Sequence, residues 1–239
     1  MPRVQDHGTA AAEGTLTRPT PSAILQKTKA VAVLRARHAR DYAPVIGALH
    51  QGGVLSIELT LSTPGVWDEL PRLQESFGDA VEIGVGTVTT AADAETALDL
   101  GAAYIVTPVT DPDIITACVR RGTPVYPGGL TPTELHTSWK QGATAVKIFP
   151  ASTVGAGYVS QLRGPFPDIQ VIPSGGVNIE DVPDWIRAGA LAVSLGGPLL
   201  GDAFKGGDLH ELTARARRVR ELIDQTTGQT GSGKIGSGR

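Results

Sequence analysis

A lysine in the middle of an apolar strand is the most chemically suggestive feature of this sequence. Lys147 lies in AVKIFP (145–150) between Val146 and Ile148. Strand residues alternate faces, so Lys147 points away from both neighbours. An ammonium group on a buried face is costly. Desolvation lowers a lysine pKa and frees a neutral amine to attack a carbonyl carbon. A structural ion pair, or a side chain that snorkels out at the strand end, is the alternative. Glu58 stands in the same way in SIELT, between Ile57 and Leu59. It can exchange protons as a general acid/base, or simply pair with Lys147 or an arginine.

Other residues point to an anionic ligand. Arg35 closes one β-rich run and can clamp a carboxylate or phosphate through two N–H groups. Thr87, in GVGTV, can donate a hydrogen bond to a carboxylate. Two glycine pairs, Gly175-Gly176 after Ser174 and Gly196-Gly197, let backbone N–H groups approach phosphate oxygens, although such pairs also serve as ordinary turns. His38, His50, His136 and His210 lack metal-ligand spacing and read as helix or loop residues. No metal and no cofactor is expected.

These residues must be positioned by eight short β-rich runs: 31–36, 55–61, 82–88, 103–108, 124–128, 145–150, 169–176 and 191–197. A helical pattern follows each run. Thr63-Pro64, Thr131-Pro132 and Asn178 mark helix starts, and Gly101, Gly122, Gly142 and Gly189 mark helix ends. The runs are nearly continuously apolar, as parallel strands covered by helices are. A doubly wound open sheet is the competitor, but no GxGxxG opens the first unit. The expectation is α/β, a single (β/α)8 TIM barrel over residues 22–227, with chemistry at the C-terminal ends of the strands. Flexible tails are expected at 1–21, which shows no sustained periodicity, and at 228–239, which is rich in Gly and Ser.

Composition narrows the class. The chain has 239 residues, enough for one such barrel, and a formal net charge of −3, which argues against nucleic-acid binding. Arg215, Arg217, Arg218 and Arg220 on a late helix read as a solvated face. The single cysteine, Cys118, falls in an apolar helical stretch and reads as core. No apolar run is long enough to span a membrane, and residues 1–14 lack the apolar core of a signal peptide, so a cytoplasmic location is expected.

Taken in order, ELTLSTP, GVGTV, IVTP, YPGG, KIFPAS and PSGGV resemble the 2-keto-3-deoxy-6-phosphogluconate (KDPG) and 4-hydroxy-2-oxoglutarate (KHG) aldolase family, including its 6-phosphogalactonate branch. The resemblance covers about residues 24–224. It implies a metal-free class I aldolase that cleaves a 2-keto-3-deoxy-6-phospho sugar acid, and a homotrimer with no partner beyond its small keto-acid substrate. It implies that Lys147 forms the Schiff base and Glu58 is the acid/base. Thr87 would hold the pyruvate carboxylate, while Pro108 and Phe149 would line the pocket. Ser174 would influence aldehyde stereochemistry. Gly175, Gly176 and Gly197 would take the phosphate, and Arg35 would face the anion. Two positions depart from the family pattern. Ser62 stands where the motif E-x-T-x-R-T carries an arginine, although the 6-phosphogalactonate branch has a short polar residue there, and Gly155-x-x-Tyr158 after KIFPAS also looks like that branch. Pro198 replaces a serine, removing a hydroxyl and a backbone donor. Another phosphate-binding barrel enzyme, or a barrel serving as a non-catalytic assembly subunit, is the alternative reading.

Overall fold

The computed structural model of the chain describes residues 17–232. The expected tails therefore lie outside the described residues over 1–16 and 233–239. Within the rest of the expected N-terminal tail, Arg18 stacks on the Trp139 ring at 3.5 Å and donates to the carbonyls of Trp139 and Ala143.

Parallel strands alternate with helices along most of the chain. The strands are β1 (Ala30–Leu34), β2 (Ser56–Thr60), β3 (Glu82–Gly86), β4 (Ile105–Val106), β5 (Val125–Tyr126), β6 (Gly128–Gly129), β7 (Val146–Ile148), β8 (Val171–Pro173) and β9 (Val193–Leu195). The helices are α1 (Ala23–Thr28), α2 (Tyr42–Gln51), α3 (Val66–Phe77), α4 (Ala91–Asp99), α5 (Pro112–Arg120), α6 (Pro132–Lys140), α7 (Gly157–Arg163), α8 (Val182–Arg187), α9 (Gly197–Leu200) and α10 (Leu209–Ser232). Local chemistry sets their ends. Thr131 caps α6 in a capping box with Glu134, and Asp111 caps α5 ahead of Pro112. Ser22 caps α1, a helix that the apolar pattern of the sequence does not reveal.

The pairing corrects the expectation of one closed eight-stranded barrel. The strands form two sheets: a six-stranded half-barrel in the order β5-β4-β3-β2-β1-β9, and a three-stranded sheet in the order β6-β7-β8. The run 124–128 was expected to be one strand. Pro127 divides it, because proline has no N–H to give a ladder. A few contacts cross the two seams. Thr144 N–H donates to the Val125 carbonyl on one side, and an isolated bridge pairs Ser174 with Ser194 on the other.

Alternation along the strands sorts side chains into two layers. Val146, Ile148, Ile57 and Leu59 join the large cluster that packs against the helices. Val31, Tyr104, Val106, Tyr126, Ala145 and Ile172 meet in a second cluster between the inward faces of the sheets, which Leu25 of α1 joins. Polar groups share this inner space: Ser56 donates to the buried carboxylate of Glu82, and burial raises the Glu82 carboxyl above its ordinary range.

Cys118 is buried in α5, where burial pushes its thiol up to about 12. The arginines of α10 divide. Arg215 donates to the carbonyls of Leu199 and Leu200, and Arg220 to that of Thr28, so these two pin the helix to the body instead of forming a solvated face. Arg217 and Arg218 are exposed. Among the described residues, no helix is long and apolar enough to cross a membrane, and no group of three or more His, Cys, Asp or Glu could hold a metal ion.

Candidate active site

All strand pairings are parallel, so the C-terminal ends of the strands share one side of the molecule. A cavity of about 220 Å³ opens there, lined by side chains from both sheets. Arg35 and Glu58 come from the β1 and β2 side, with Thr87 just after β3 and Pro108 after β4. From the second sheet come Lys147, Phe149, Ser174, Gly175 and Gly176, and Gly197 follows β9. Of the eleven residues to which the sequence gives a site role, ten thus line one space.

The exception is Ser62. It is exposed in a neighbouring groove of about 500 Å³, lined also by Trp67, Thr89 and Asp93. Thr87 lines both spaces, so the groove and the cavity meet at that residue. Ser62 reaches the cavity wall only through its hydroxyl, which donates to Thr60 at 3.2 Å.

Lys147 is buried, 7 % exposed, and Glu58 is 1 % exposed. Ion pairs among the described residues join surface groups such as Arg121–Asp99 and Arg218–Glu180, and neither Lys147 nor Glu58 takes part in one. The structural ion-pair reading of Lys147 therefore has no support. Its Nζ lies 5.0 Å from the centroid of the Phe149 ring, within cation–π range. Burial raises the Glu58 carboxyl above its ordinary range, against the opposing pull of the Lys147 and Arg35 charges. The site thus holds a buried amine and a buried carboxyl held above its ordinary range, groups of the kind that can transfer protons.

Glycines provide the room for these groups. The Glu58 carboxylate lies over Gly86, where a Cβ would fall 2.0 Å from Oε1. Gly175 (φ 84°) lies under the Phe149 ring, which a Cβ would approach to 2.9 Å. Backbone bonds fix this loop: Ala151 N–H donates to the Ser174 carbonyl at 2.8 Å, and Ser152 N–H to that of Gly175 at 3.1 Å. The Ser174 hydroxyl is buried beside that of Ser194, 3.4 Å away.

Thr87 has φ 59°, the left-handed region. A β-branched residue there is strained by about 1–3 kcal/mol, and such strain gathers at functional sites. Replacement of Thr87 by glycine is expected to relieve that strain while removing the hydroxyl. In urea, T87G should unfold at no lower midpoint than T87A. Its activity should fall with that of T87A, because both lack the hydroxyl. A T87G protein that is less stable than T87A would show that the conformation is unstrained.

Sequence reasoning did not single out Val33 or Thr60, which also line the cavity; Gly196, the partner of Gly197, and Pro198 line it too. Val33 and Thr60 sit two residues from Arg35 and Glu58, so the same alternation would have found them.

Comparison with known proteins places the chain as a whole. The family model for KDPG and KHG aldolase matches residues 22–215. The 2-dehydro-3-deoxy-6-phosphogalactonate aldolase of Escherichia coli is 33% identical over 190 residues, spanning 79% of this chain and 91% of that protein. A KDPG aldolase from Legionella pneumophila, solved with pyruvate captured as a covalent carbinolamine, superposes with a TM-score of 0.76 at 26% identity, covering 82% of this chain and 96% of that one. A cube-shaped porous protein cage, designed by fusing symmetric oligomeric domains, superposes with a TM-score of 0.79 at 30% identity, covering 86% and 75% of the two chains. A buried lysine and a buried carboxyl on one cavity, together with a match over most of the chain, lead to one conclusion: this protein belongs to the KDPG and KHG aldolase family and is a carbon–carbon lyase.

Proposed function

We propose that Lys147 and Glu58 carry out class I aldol cleavage of a 2-keto-3-deoxy-6-phospho sugar acid. The substrate is of the 6-phosphogalactonate or 6-phosphogluconate type, and the products are pyruvate and glyceraldehyde 3-phosphate. 4-Hydroxy-2-oxoglutarate, giving pyruvate and glyoxylate, is the shorter substrate. The observation that supports this most is a buried lysine without an ion pair facing a cavity shared with a buried glutamate.

The neutral Lys147 amine adds to the C2 ketone, and the carbinolamine hydroxyl takes up a proton from solvent, relayed by Glu58 through water, and leaves as water, giving a protonated imine. Ionised Glu58 takes the proton of the C4 hydroxyl. The C3–C4 bond then breaks, the aldehyde departs, and the bond's electron pair flows to the imine nitrogen as an enamine. Glu58 returns its proton to C3, and water releases pyruvate and free Lys147. The imine lowers the barrier by giving the developing carbanion an electron sink. Thr87 holds the carboxylate, and Pro108 and Phe149 pack against the pyruvate carbons. Arg35 and the backbone of Gly175, Gly176 and Gly197 take the phosphate. Ser174 meets the aldehyde end. Ser62 lies outside the cavity and acts through Thr60.

The two sugar acids are C4 epimers, so a pyruvate-release assay with each, and with 4-hydroxy-2-oxoglutarate, tests the reading. Release from at least one phosphorylated acid is expected, and release from none of the three would sink it. A homotrimer in the cytoplasm completes the proposal. The designed cage built from symmetric oligomeric domains favours a symmetric oligomer, and a phosphorylated substrate is held inside membranes by its charge. Light scattering should give three times the 24.8 kDa chain mass.

A further inference from the structure

The Arg35 side chain is exposed at the rim of the cavity. Among the described residues its guanidinium makes no hydrogen bond and no ion pair. Its own contacts therefore do not aim it, and the backbone that carries it must. That backbone has left the sheet: pairing between β1 and β2 ends at Leu34 opposite Leu59, one residue before Arg35.

Beyond that point hydroxyl groups replace the ladder. The Thr60 hydroxyl donates to the Leu34 carbonyl at 2.9 Å, and the Tyr42 hydroxyl donates to the same oxygen at 3.2 Å. On the other side of Arg35, the Ala36 N–H donates to the Thr63 hydroxyl oxygen at 3.1 Å. Three residues further on, the Ala39 N–H donates to the Pro64 carbonyl at 2.9 Å. Thr60 and Thr63 are each 1 % exposed and 3.5 Å apart through their oxygens. The loop after β1 is thus fastened to the loop after β2 on both sides of the arginine. Thr63 does not line the cavity, so any effect it has on a ligand must pass through the part it holds.

We propose that Thr63, with Thr60 and Tyr42, is a positioning residue that clasps the backbone around Arg35 and so aims its guanidinium at the anion in the cavity. The proposal rests on the assignment of Arg35 as an anion-binding residue. Valine has nearly the shape of threonine but cannot accept the Ala36 hydrogen bond. Losing one bond of this kind should weaken the ligand by about three- to tenfold.

Inorganic phosphate is the probe. Its affinity is measured by calorimetry on the full chain for wild type, T63V, R35A and the double variant, so that the cycle isolates the coupling. T63V is expected to weaken phosphate about three- to tenfold, and T63S to restore it. In the R35A background, T63V should cost nothing further. Y42F provides a second variant of the same clasp, with a smaller loss that also vanishes without Arg35. With a phosphorylated keto acid, T63V should raise KM by the factor seen for phosphate and leave kcat within about twofold. Equal losses with and without Arg35, no loss in T63V, or no phosphate binding by wild type would each overturn the proposal. Phosphate coupling without pyruvate release would retain the clasp and reject the aldolase reading.

Discussion

Replacing Lys147 by alanine is expected to abolish pyruvate release, lowering the rate by about 10⁴-fold or more. Removal of a covalent nucleophile costs factors of this order because the remaining groups have no alternative route. The fold should survive, since Lys147 takes part in no ion pair or hydrogen bond of the described residues, and Glu58 can become protonated when the lysine is gone. Borohydride added with pyruvate should place a three-carbon adduct on Lys147 in wild type and none on K147A. K147R keeps the charge but not a readily deprotonated amine, so it should also be inactive. An active K147A protein would end the Schiff-base reading.

The second large effect concerns Glu58. E58Q is expected to slow cleavage by about 10²- to 10⁴-fold, the usual contribution of a positioned acid/base. The pH profile carries the more specific expectation. Burial raises the Glu58 carboxyl, and Lys147 and Arg35 pull it partly back. Glu58 must be ionised to accept the C4 proton, so kcat/KM should rise with pH through a value above the ordinary carboxylate range. E58Q should lose that limb. R35A removes one of the opposing charges and should move the limb to higher pH. The stability effect has the opposite sense. A raised carboxyl is favoured neutral in the fold, so the stability it contributes at acid pH is lost as pH climbs through the raised value. At pH 7, E58Q should therefore resist urea at least as well as wild type. A profile without an acid limb in wild type would remove Glu58 from the proton transfer.

Much of the site was legible because strand alternation is a local property. Lys147 between two apolar neighbours, and Glu58 between Ile57 and Leu59, could be set on the face opposite those neighbours from sequence alone; that this face is the inward one comes from the structure, where both line the cavity and the neighbours join the outer cluster. The same rule, extended by two residues, leads to Val33 and Thr60. Ser62 shows where local reasoning ends. It lies beyond β2, where alternation no longer applies, and the turn made by Thr63 N–H to the Thr60 carbonyl leaves it facing the adjoining groove. The arginines of α10 read as solvated because charge pattern alone cannot distinguish a free guanidinium from one bonded to carbonyls sixteen residues away. Closure of the sheet was misread for a related reason. Pro127 was visible in the sequence, but whether neighbouring strands bridge such a gap depends on long-range geometry.

The division into two sheets has a kinetic meaning. Glu58 and Arg35 belong to the six-stranded sheet, and Lys147 with the Phe149–Gly175 loop belongs to the three-stranded one. Each sheet is a continuous ladder, but the seams between them are crossed by a few hydrogen bonds, such as those between Thr144 and Val125 and from Leu191 N–H to the Val171 carbonyl, and by the Ser174–Ser194 bridge. The nucleophile and its proton carrier thus ride on separate frames. Substitutions that loosen a seam are therefore expected to change the distance on which proton transfer depends while every ladder bond in either frame stays intact.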